Sequence, residues 1–130
     1  MKLRILLADD DADLRFLTTC TLEDEGWEVT GVSNGREAIE QLRQAAFDLI
    51  ILDAQMPVMD GFEACKEIRR DPRFSGIPVV FLTAQSTLTD LAEAGTGPVG
   101  HIKKPYDIDT LARRIEELLQ KARPKLGAPA

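Results

Sequence analysis

Charged side chains directly follow three short apolar runs of this chain. The runs and the charged groups that follow them are Ile5–Ala8 with Asp9, Asp10 and Asp11, Leu49–Leu52 with Asp53, and Val99–Ile102 with Lys103 and Lys104. If these runs are neighbouring parallel strands, several carboxylates and an ammonium meet at one edge of a sheet. Two carboxylates 4 Å apart repel by roughly 4 kcal/mol at an effective dielectric constant near 20, so such a cluster requires a cation. Hard oxygen ligands suit Mg²⁺, and the pattern predicts a divalent-metal and phosphoryl site.

The elements that must position these groups follow from hydrophobic patterning. Apolar runs alternate with amphipathic stretches, which is typical of βα units around a parallel sheet. The predicted strands are Leu3–Ala8, Glu28–Val32, Leu49–Leu52, Pro78–Leu82 and Val99–Ile102. The predicted helices are Ala12–Glu25, Gly35–Gln44, Phe62–Arg70, Thr87–Ala94 and a last helix that Asp107 caps. Four strands are almost continuously apolar, as expected when helices cover both faces, and the second is half-exposed and predicted to lie at an edge.

Helix faces and ends are predicted from local signals. The first helix is expected to bury one stripe of side chains, namely Leu14, Leu17, Thr18, Thr21 and Leu22. Asp11 and Asp13 are assigned to capping of that helix. Asn34 followed by Glu37 resembles an N-cap with its capping-box partner, and Asp60-Gly61 is assigned to a turn and helix start. These carboxylates are therefore interpreted as structural.

Composition limits the classes of function. The chain has 130 residues, of which 44% are hydrophobic and 29% charged, and its formal net charge is −6. These values suit one globular domain and argue against direct nucleic-acid binding, which normally shows a basic footprint. No apolar run approaches the roughly 20 residues that span a bilayer, and the N-terminus lacks the pattern of a signal peptide. Cys20 and Cys65 lack metal-ligand spacing, so we expect reduced thiols in a cytoplasmic protein.

Four motifs in order resemble the receiver domain of two-component response regulators, such as the single-domain chemotaxis regulators. They are Ile5–Asp11, Leu52–Gly61, Phe81–Ala84 and Lys104–Tyr106, and together they cover about residues 3–122. The second motif, Asp-x-x-Met-Pro-x-Met-Asp-Gly from Asp53 onward, is the most specific. The resemblance implies an α/β, flavodoxin-like (βα)5 fold, a doubly wound parallel sheet with strand order 2-1-3-4-5, here with a shortened fourth helix. The receiver would span residues 1–122, and residues 123–130 would form a tail or linker.

The resemblance also implies a role for each matching residue. Asp53 would accept a phosphoryl group from the phosphohistidine of a histidine kinase or histidine phosphotransfer protein, and Lys104 would pair with a phosphoryl oxygen. The hydroxyl of Thr83 would move toward the phosphate and switch contacts with a downstream protein or a missing output domain. The ligands of Mg²⁺ would be the carboxylates of Asp9, Asp10 and Asp53 and the backbone carbonyl of Gln55.

Two features depart from the pattern of the family. His101 stands where an aromatic residue usually precedes the Lys-Pro pair, and output in many receivers depends on that side chain turning inward. Because an imidazole is smaller and can gain charge near neutral pH, we expect a weaker or pH-sensitive switch. The alternative is a surface histidine without a role. The shortened helix Thr87–Ala94 puts the family's usual signalling surface in doubt.

Two other functions stay open beside the signalling phosphoacceptor. A phosphatase with an aspartyl nucleophile, of the haloacid-dehalogenase kind, needs a second Asp two residues after the nucleophile, where this chain has Gln55. A degenerate receiver would act as a phosphorylation-independent binding module. The five matching side chains weigh against that reading, namely Asp9, Asp10, Asp53, Thr83 and Lys104. We therefore expect a protein that is not an enzyme and assists only its own phosphorylation and dephosphorylation.

Overall fold

The computed structural model describes residues 2–83, 100–104 and 106–122, with the backbone alone for residues 83, 121 and 122. The strands in these ranges are β1 (Arg4–Ala8), β2 (Glu28–Val32), β3 (Leu49–Asp53), β4 (Val79–Thr83) and β5 (Gly100–Lys103). The helices are α1 (Ala12–Glu23), α2 (Gly35–Gln44), α3 (Gly61–Arg70) and α4 (Ile108–Ala122). The predicted helix Thr87–Ala94 and the predicted tail 123–130 lie outside the described residues.

The five strands form one parallel sheet in the order β2-β1-β3-β4-β5. This order confirms the predicted flavodoxin-like fold and the edge position of β2. The chain adds β2 on one side of β1 and β3 on the other, so the strand order reverses between β1 and β3. In open α/β sheets, ligands bind at the carboxyl ends of the strands near such a reversal. Asp9 directly follows β1 there, and Asp53 ends β3.

Helices cover both faces of the sheet. β3 is buried at all five positions, as its continuous apolar sequence predicts. One core cluster joins alternate strand residues to α2 and α3, and it includes Leu6, Ile50, Leu52, Phe81, Ala38, Leu42, Ala64 and Ile68. The other cluster joins the remaining strand residues to α1 and α4, and it includes Ile5, Leu7, Leu49, Ile51, Leu22, Leu111 and Ile115. Cys20 is half-buried and Cys65 is buried, and neither forms a disulfide bond within the described residues.

Helix α1 differs from its prediction in length and in the face that it buries. It begins after Asp11, whose carboxylate accepts the Leu14 N–H at 3.1 Å, and it ends two residues earlier than predicted. Thr18 and Leu22 are buried, whereas Leu17 is 49% exposed, so the prediction for Leu17 was wrong. The buried line runs at i, i+4 spacing, and a residue one position away from it points about 100° around the helix.

The starts of α2 and α3 use different hydrogen bonds. Asn34 accepts the Glu37 N–H at 2.9 Å, as predicted. The Glu37 carboxylate bonds instead to the backbone N–H and hydroxyl of Ser33, at 2.7 and 2.8 Å, so the predicted capping box is wrong. Both hydrogen bonds lower the pKa of Glu37, and the bond from the Ser33 backbone N–H has the larger effect. Asp60 and Glu63 form a full capping box, which confirms the predicted helix start.

None of the described helices is long and apolar enough to cross a membrane.

Candidate functional site

The three predicted acidic ligands come together at the carboxyl ends of β1 and β3. One carboxylate oxygen from each of Asp9, Asp10 and Asp53 lies within 4.8 Å of the others. Asp9 is 1% exposed and Asp53 is 6% exposed, whereas Asp10 is open to solvent. Burial of two carboxylates so close to a third is unfavourable unless positive charge compensates it.

Lys104 supplies part of that positive charge. Its Nζ donates to Asp53 Oδ2 at 2.9 Å and to Asp9 Oδ2 at 3.3 Å. The Lys104 side chain is 24% exposed, while Lys103 faces solvent at the end of β5. The structure therefore brings together the lysine that the sequence favoured and two of the predicted acidic residues.

Backbone hydrogen bonds orient the two buried carboxylates. Asp9 Oδ1 accepts the Asp11 N–H at 2.9 Å, and Asp53 Oδ1 accepts the Gln55 N–H at 3.2 Å. The Arg15 guanidinium donates to the backbone carbonyl of Asp9 at 2.6 Å. Sequence reasoning missed Arg15, although its place one turn after the acidic triplet is a usable signal. In each carboxylate one oxygen bonds to the backbone and the other faces Lys104.

The surroundings of the site raise the pKa of both Asp53 and Lys104. Burial raises the pKa of Asp53 to about 6, although hydrogen bonding to Lys104 opposes the shift. Burial alone would lower the pKa of Lys104, but the hydrogen bonds and charges of Asp53 and Asp9 outweigh it, and the pKa is raised overall. Asp53 is therefore mainly ionised at pH 7, opposite a stable ammonium group.

The carboxylates open into a cleft at the edge of the sheet. The cleft has a volume of about 560 Å³ and is lined by Asp10, Asp11, Asp53, Gln55, Met56 and Lys104. Carboxylate oxygens are hard ligands, and those of Asp9, Asp10 and Asp53 cluster here, whereas Lys104 pairs with Asp9 and Asp53 only. This excess of negative charge and the oxygen donor set fit Mg²⁺. Met56 is 9% exposed and belongs to the core, as expected for a packing residue.

The loop after β3 approaches the site closely. The Gly61 N–H donates to the Ala54 carbonyl at 3.1 Å. A Cβ atom at Gly61 would lie 2.3 Å from the Asp53 carbonyl oxygen, so a side chain there would displace the end of β3. Val58 in the same loop has a φ of 67°, a sterically costly value for a β-branched residue.

The two predicted switch residues lie on the neighbouring strands. Thr83 ends β4 in register with Lys103, and the structure describes only the backbone of Thr83. His101 is exposed on β5, in register with Phe81. Its exposure suits both a residue that turns inward and a surface histidine without a role, so the switch stays a prediction.

Comparisons with known proteins identify the family of this chain. The family model of the response regulator receiver domain matches residues 5–116. The DNA-binding response regulator MtrA of Mycobacterium tuberculosis is 34% identical over 122 residues, which cover 93% of this chain and 52% of that protein. The chain thus spans about half the length of the curated relatives it matches.

Solved structures share the same fold. The chemotaxis response regulator CheY4 of Vibrio cholerae has a TM-score of 0.82 and 32% identity, covering 91% of this chain and 99% of that one. The signal receiver domain of a signal transduction histidine kinase from Syntrophus aciditrophicus has a TM-score of 0.81 and 34% identity, covering 91% and 90%. The chain therefore belongs to the response regulator receiver domain family of two-component systems.

Proposed function

We propose that this chain is a phosphoacceptor receiver in a two-component phosphorelay. Asp53 takes a phosphoryl group from the histidine of a kinase or of a histidine phosphotransfer protein. The observation that carries the proposal is the Lys104 ammonium, which lies 2.9 Å from Asp53 and 3.3 Å from Asp9 beside an open cleft. An ionised carboxylate paired with an ammonium offers a nucleophile and a charge partner for the incoming phosphoryl oxygens.

We propose a magnesium site at the same place. Its protein ligands are the carboxylates of Asp9, Asp10 and Asp53 and the backbone carbonyl of Gln55. The mutual approach of the three carboxylate oxygens within 4.8 Å supports this set. When bound, Mg²⁺ would offset negative charge on the phosphoryl group during its transfer.

The residues divide the transfer chemistry between them. An Asp53 oxygen attacks phosphorus, the P–N bond of phosphohistidine breaks, and a P–O bond to Asp53 forms. The imidazole leaves with the electron pair and takes up a proton. Lys104 remains beside the new phosphoryl oxygens. Its ammonium then pairs with their negative charge and no longer with that of the Asp53 carboxylate. Water later attacks phosphorus, the P–O bond breaks, and inorganic phosphate and the Asp53 carboxylate are released, which resets the receiver.

The output of the phosphorylated receiver is proposed to pass through protein contacts. Thr83 and His101 are the proposed switch residues, and the recipient is a downstream protein or an output domain outside this chain. The net charge of −6 disfavours direct contact of this unit with nucleic acid. MtrA is a DNA-binding response regulator, but the match covers only 52% of that protein. A His101→Tyr variant with unchanged partner affinity and an unchanged phosphorylation response would contradict a switch role for His101.

Intact mass after incubation with phosphoramidate and Mg²⁺ tests the proposal. We expect the chain to gain one phosphoryl group, and we expect Asp53→Asn and a magnesium-free sample to gain none. Asp13→Asn is the matched control, because it removes an exposed carboxylate from the first turn of α1. No gain in the unsubstituted chain would instead favour a phosphorylation-independent binding module, and turnover of varied phosphate esters would favour a phosphatase.

A further inference from the structure

A partly buried hydrogen bond joins Thr18 of α1 to Tyr106, which lies two residues after Lys104. The hydroxyl groups of Thr18 and Tyr106 lie 2.7 Å apart, although 88 positions separate the two residues. Thr18 is only 1% exposed, and the Tyr106 ring packs against the core cluster that includes Ile102, Leu111 and Ile115. The bond is therefore partly shielded from water.

Packing alone does not account for the two hydroxyl groups. A phenylalanine at position 106 would fill the space of the ring, and a valine at position 18 would match the shape of the threonine. A buried hydroxyl without a partner is unfavourable, whereas a paired one is tolerated. The pair therefore favours one relative placement of α1 and the segment after β5.

That segment determines where the Lys104 ammonium can reach. Tyr106 is two residues from Lys104, and two extended residues span at most about 7 Å. A displacement of the backbone at Tyr106 therefore also displaces the backbone at Lys104. The long, flexible side chain of Lys104 must adopt one conformation to reach both carboxylates, which costs conformational entropy. A fixed backbone at Lys104 lowers that entropic cost.

Helix α1 also contacts the acidic side of the site. Arg15, three residues before Thr18 and on a neighbouring part of the same helix surface, donates to the Asp9 carbonyl at 2.6 Å. The same helix thus holds the loop that carries Asp9 and the segment that carries Lys104.

We propose that the Thr18–Tyr106 hydrogen bond positions Lys104 for phosphoryl transfer. The inference rests on the proposed function, because it assigns Thr18 and Tyr106 as positioning residues for that same site. Thr18 and Tyr106 bond to each other, whereas Lys104 bonds to the carboxylates, so both residues act through Lys104. Their removal is expected to slow transfer without weakening Mg²⁺ binding, in which Lys104 takes no part as a ligand.

The first test compares transfer rate with metal affinity. Tyr106→Phe is expected to lower the rate of phosphorylation by phosphoramidate about threefold to tenfold at saturating Mg²⁺, the range for loss of one neutral hydrogen bond. The dissociation constant for Mg²⁺, measured by calorimetry, is expected to change by less than about twofold. Thr18→Val should behave like Tyr106→Phe, and Thr18→Ser should restore the rate. The matched control is Thr21→Val, because the Thr21 hydroxyl bonds only locally to the Leu17 carbonyl.

A second test separates positioning from general loosening of the fold. In a Lys104→Gln background, Tyr106→Phe should have no further effect on the rate, because its effect acts through Lys104. The double variant Thr18→Val/Tyr106→Phe removes both hydroxyl groups, so its stability should recover above that of Tyr106→Phe while its transfer rate stays low. An effect that persists without Lys104, or a rate that recovers together with stability, would overturn the inference.

The outcomes also distinguish this inference from the proposed function. If the unsubstituted chain gains no phosphoryl group, the proposed function fails. If the unsubstituted chain is phosphorylated and Tyr106→Phe reacts at the same rate, the proposed function stands and the positioning role is wrong.

Discussion

The Asp53 carboxylate occupies an energetically costly position, which the proposed phosphoryl chemistry would explain. It is 6% exposed at the end of a fully buried strand, close to the carboxylates of Asp9 and Asp10. Among the described residues, the Lys104 ammonium pairs with both buried carboxylates, at 2.9 Å from Asp53 and 3.3 Å from Asp9. Residues chosen for stability alone would not place several like charges around one ammonium.

At the residue scale, the raised pKa of Asp53 predicts a pH dependence of stability without metal. The folded state holds the proton up to about pH 6, whereas the unfolded chain releases it near the ordinary pKa of 3.8. Between these values the folded state binds more protons, so this residue's contribution to stability falls as pH rises. Asp53→Asn removes that fall.

Urea unfolding in chelator from pH 4 to pH 7 measures this effect. The unfolding free energy of Asp53→Asn relative to the unsubstituted chain is expected to increase with pH, by roughly 2 kcal/mol. Lowered pKa values elsewhere, such as that of Asp71 beside Arg73, act in both proteins and cancel in the comparison. Parallel curves for the two proteins would contradict the prediction.

The exposed carboxylate of Asp10 leads to a second prediction. Asp10→Asn removes repulsion with Asp9 and Asp53 and is expected to raise the unfolding free energy of the metal-free protein by about 0.5–1 kcal/mol. It also removes a proposed ligand, so the added stability in excess Mg²⁺ should disappear. For the unsubstituted chain that addition is about 2.7 kcal/mol at a hundredfold excess over the dissociation constant. Equal melting temperatures of Asp10→Asn and the unsubstituted chain in chelator and in Mg²⁺ would contradict both parts.

At the element scale, the site depends on where strands end and on how the next element begins. β1 and β3 end side by side at the reversal of strand order, and the segment after β5 carries Lys104 to them. The start of α3 returns to the end of β3, where Gly61 contacts the backbone of Asp53 and Ala54. The conformation of this loop therefore bears directly on the Asp53 carboxylate.

Gly61→Ala tests the importance of this close approach. The added methyl group would meet the Asp53 carbonyl oxygen at 2.3 Å, so the backbone must move. We expect a loss of about 2 kcal/mol in unfolding free energy and a slower phosphorylation of Asp53. Gly76→Ala is the control, because a Cβ there meets nothing within 4 Å, and its effect should stay within about 0.5 kcal/mol. Equal stability of the two variants in urea would show that the end of β3 tolerates the shift.

At the scale of the whole molecule, the described residues form a two-faced α/β unit around a single sheet. α2 and α3 contribute to one core cluster, and α1 and α4 contribute to the other. Because the sequence after Ala122 lacks an apolar period, we propose residues 1–122 as the folding unit and residues 123–130 as a tail or linker.

Removal of residues 123–130 tests that boundary. The sequence of this segment contains Pro124, Gly127 and Pro129 and lacks an apolar period. We expect the shortened chain to keep its melting temperature within about 2 °C, because a surface change of this kind alters stability by roughly 0.5 kcal/mol or less. Phosphorylation by phosphoramidate should also be retained. A large loss of either would place the tail within the folded unit.

Local sequence signals predicted most elements for a physical reason. A buried parallel strand needs an unbroken apolar run, and a helix start needs a side chain that can accept backbone N–H groups. The bounds of β2 and α2 were therefore predicted correctly, and those of β3 and α3 to within one residue. The errors at Leu17 and Glu37 concern which neighbour a side chain meets, and sequence spacing does not determine that.

The sequence by itself determined which groups could carry charge and at which strand ends they stand, because both depend on residue type and local pattern. It also contained the motifs of the receiver family. Only the tertiary structure decided that the Lys104 ammonium lies within 3.3 Å of both Asp9 and Asp53, that burial raises the pKa of Asp53, and that Thr18 bonds to Tyr106. These facts depend on strand order and on packing between residues far apart in the chain, which local patterns do not specify.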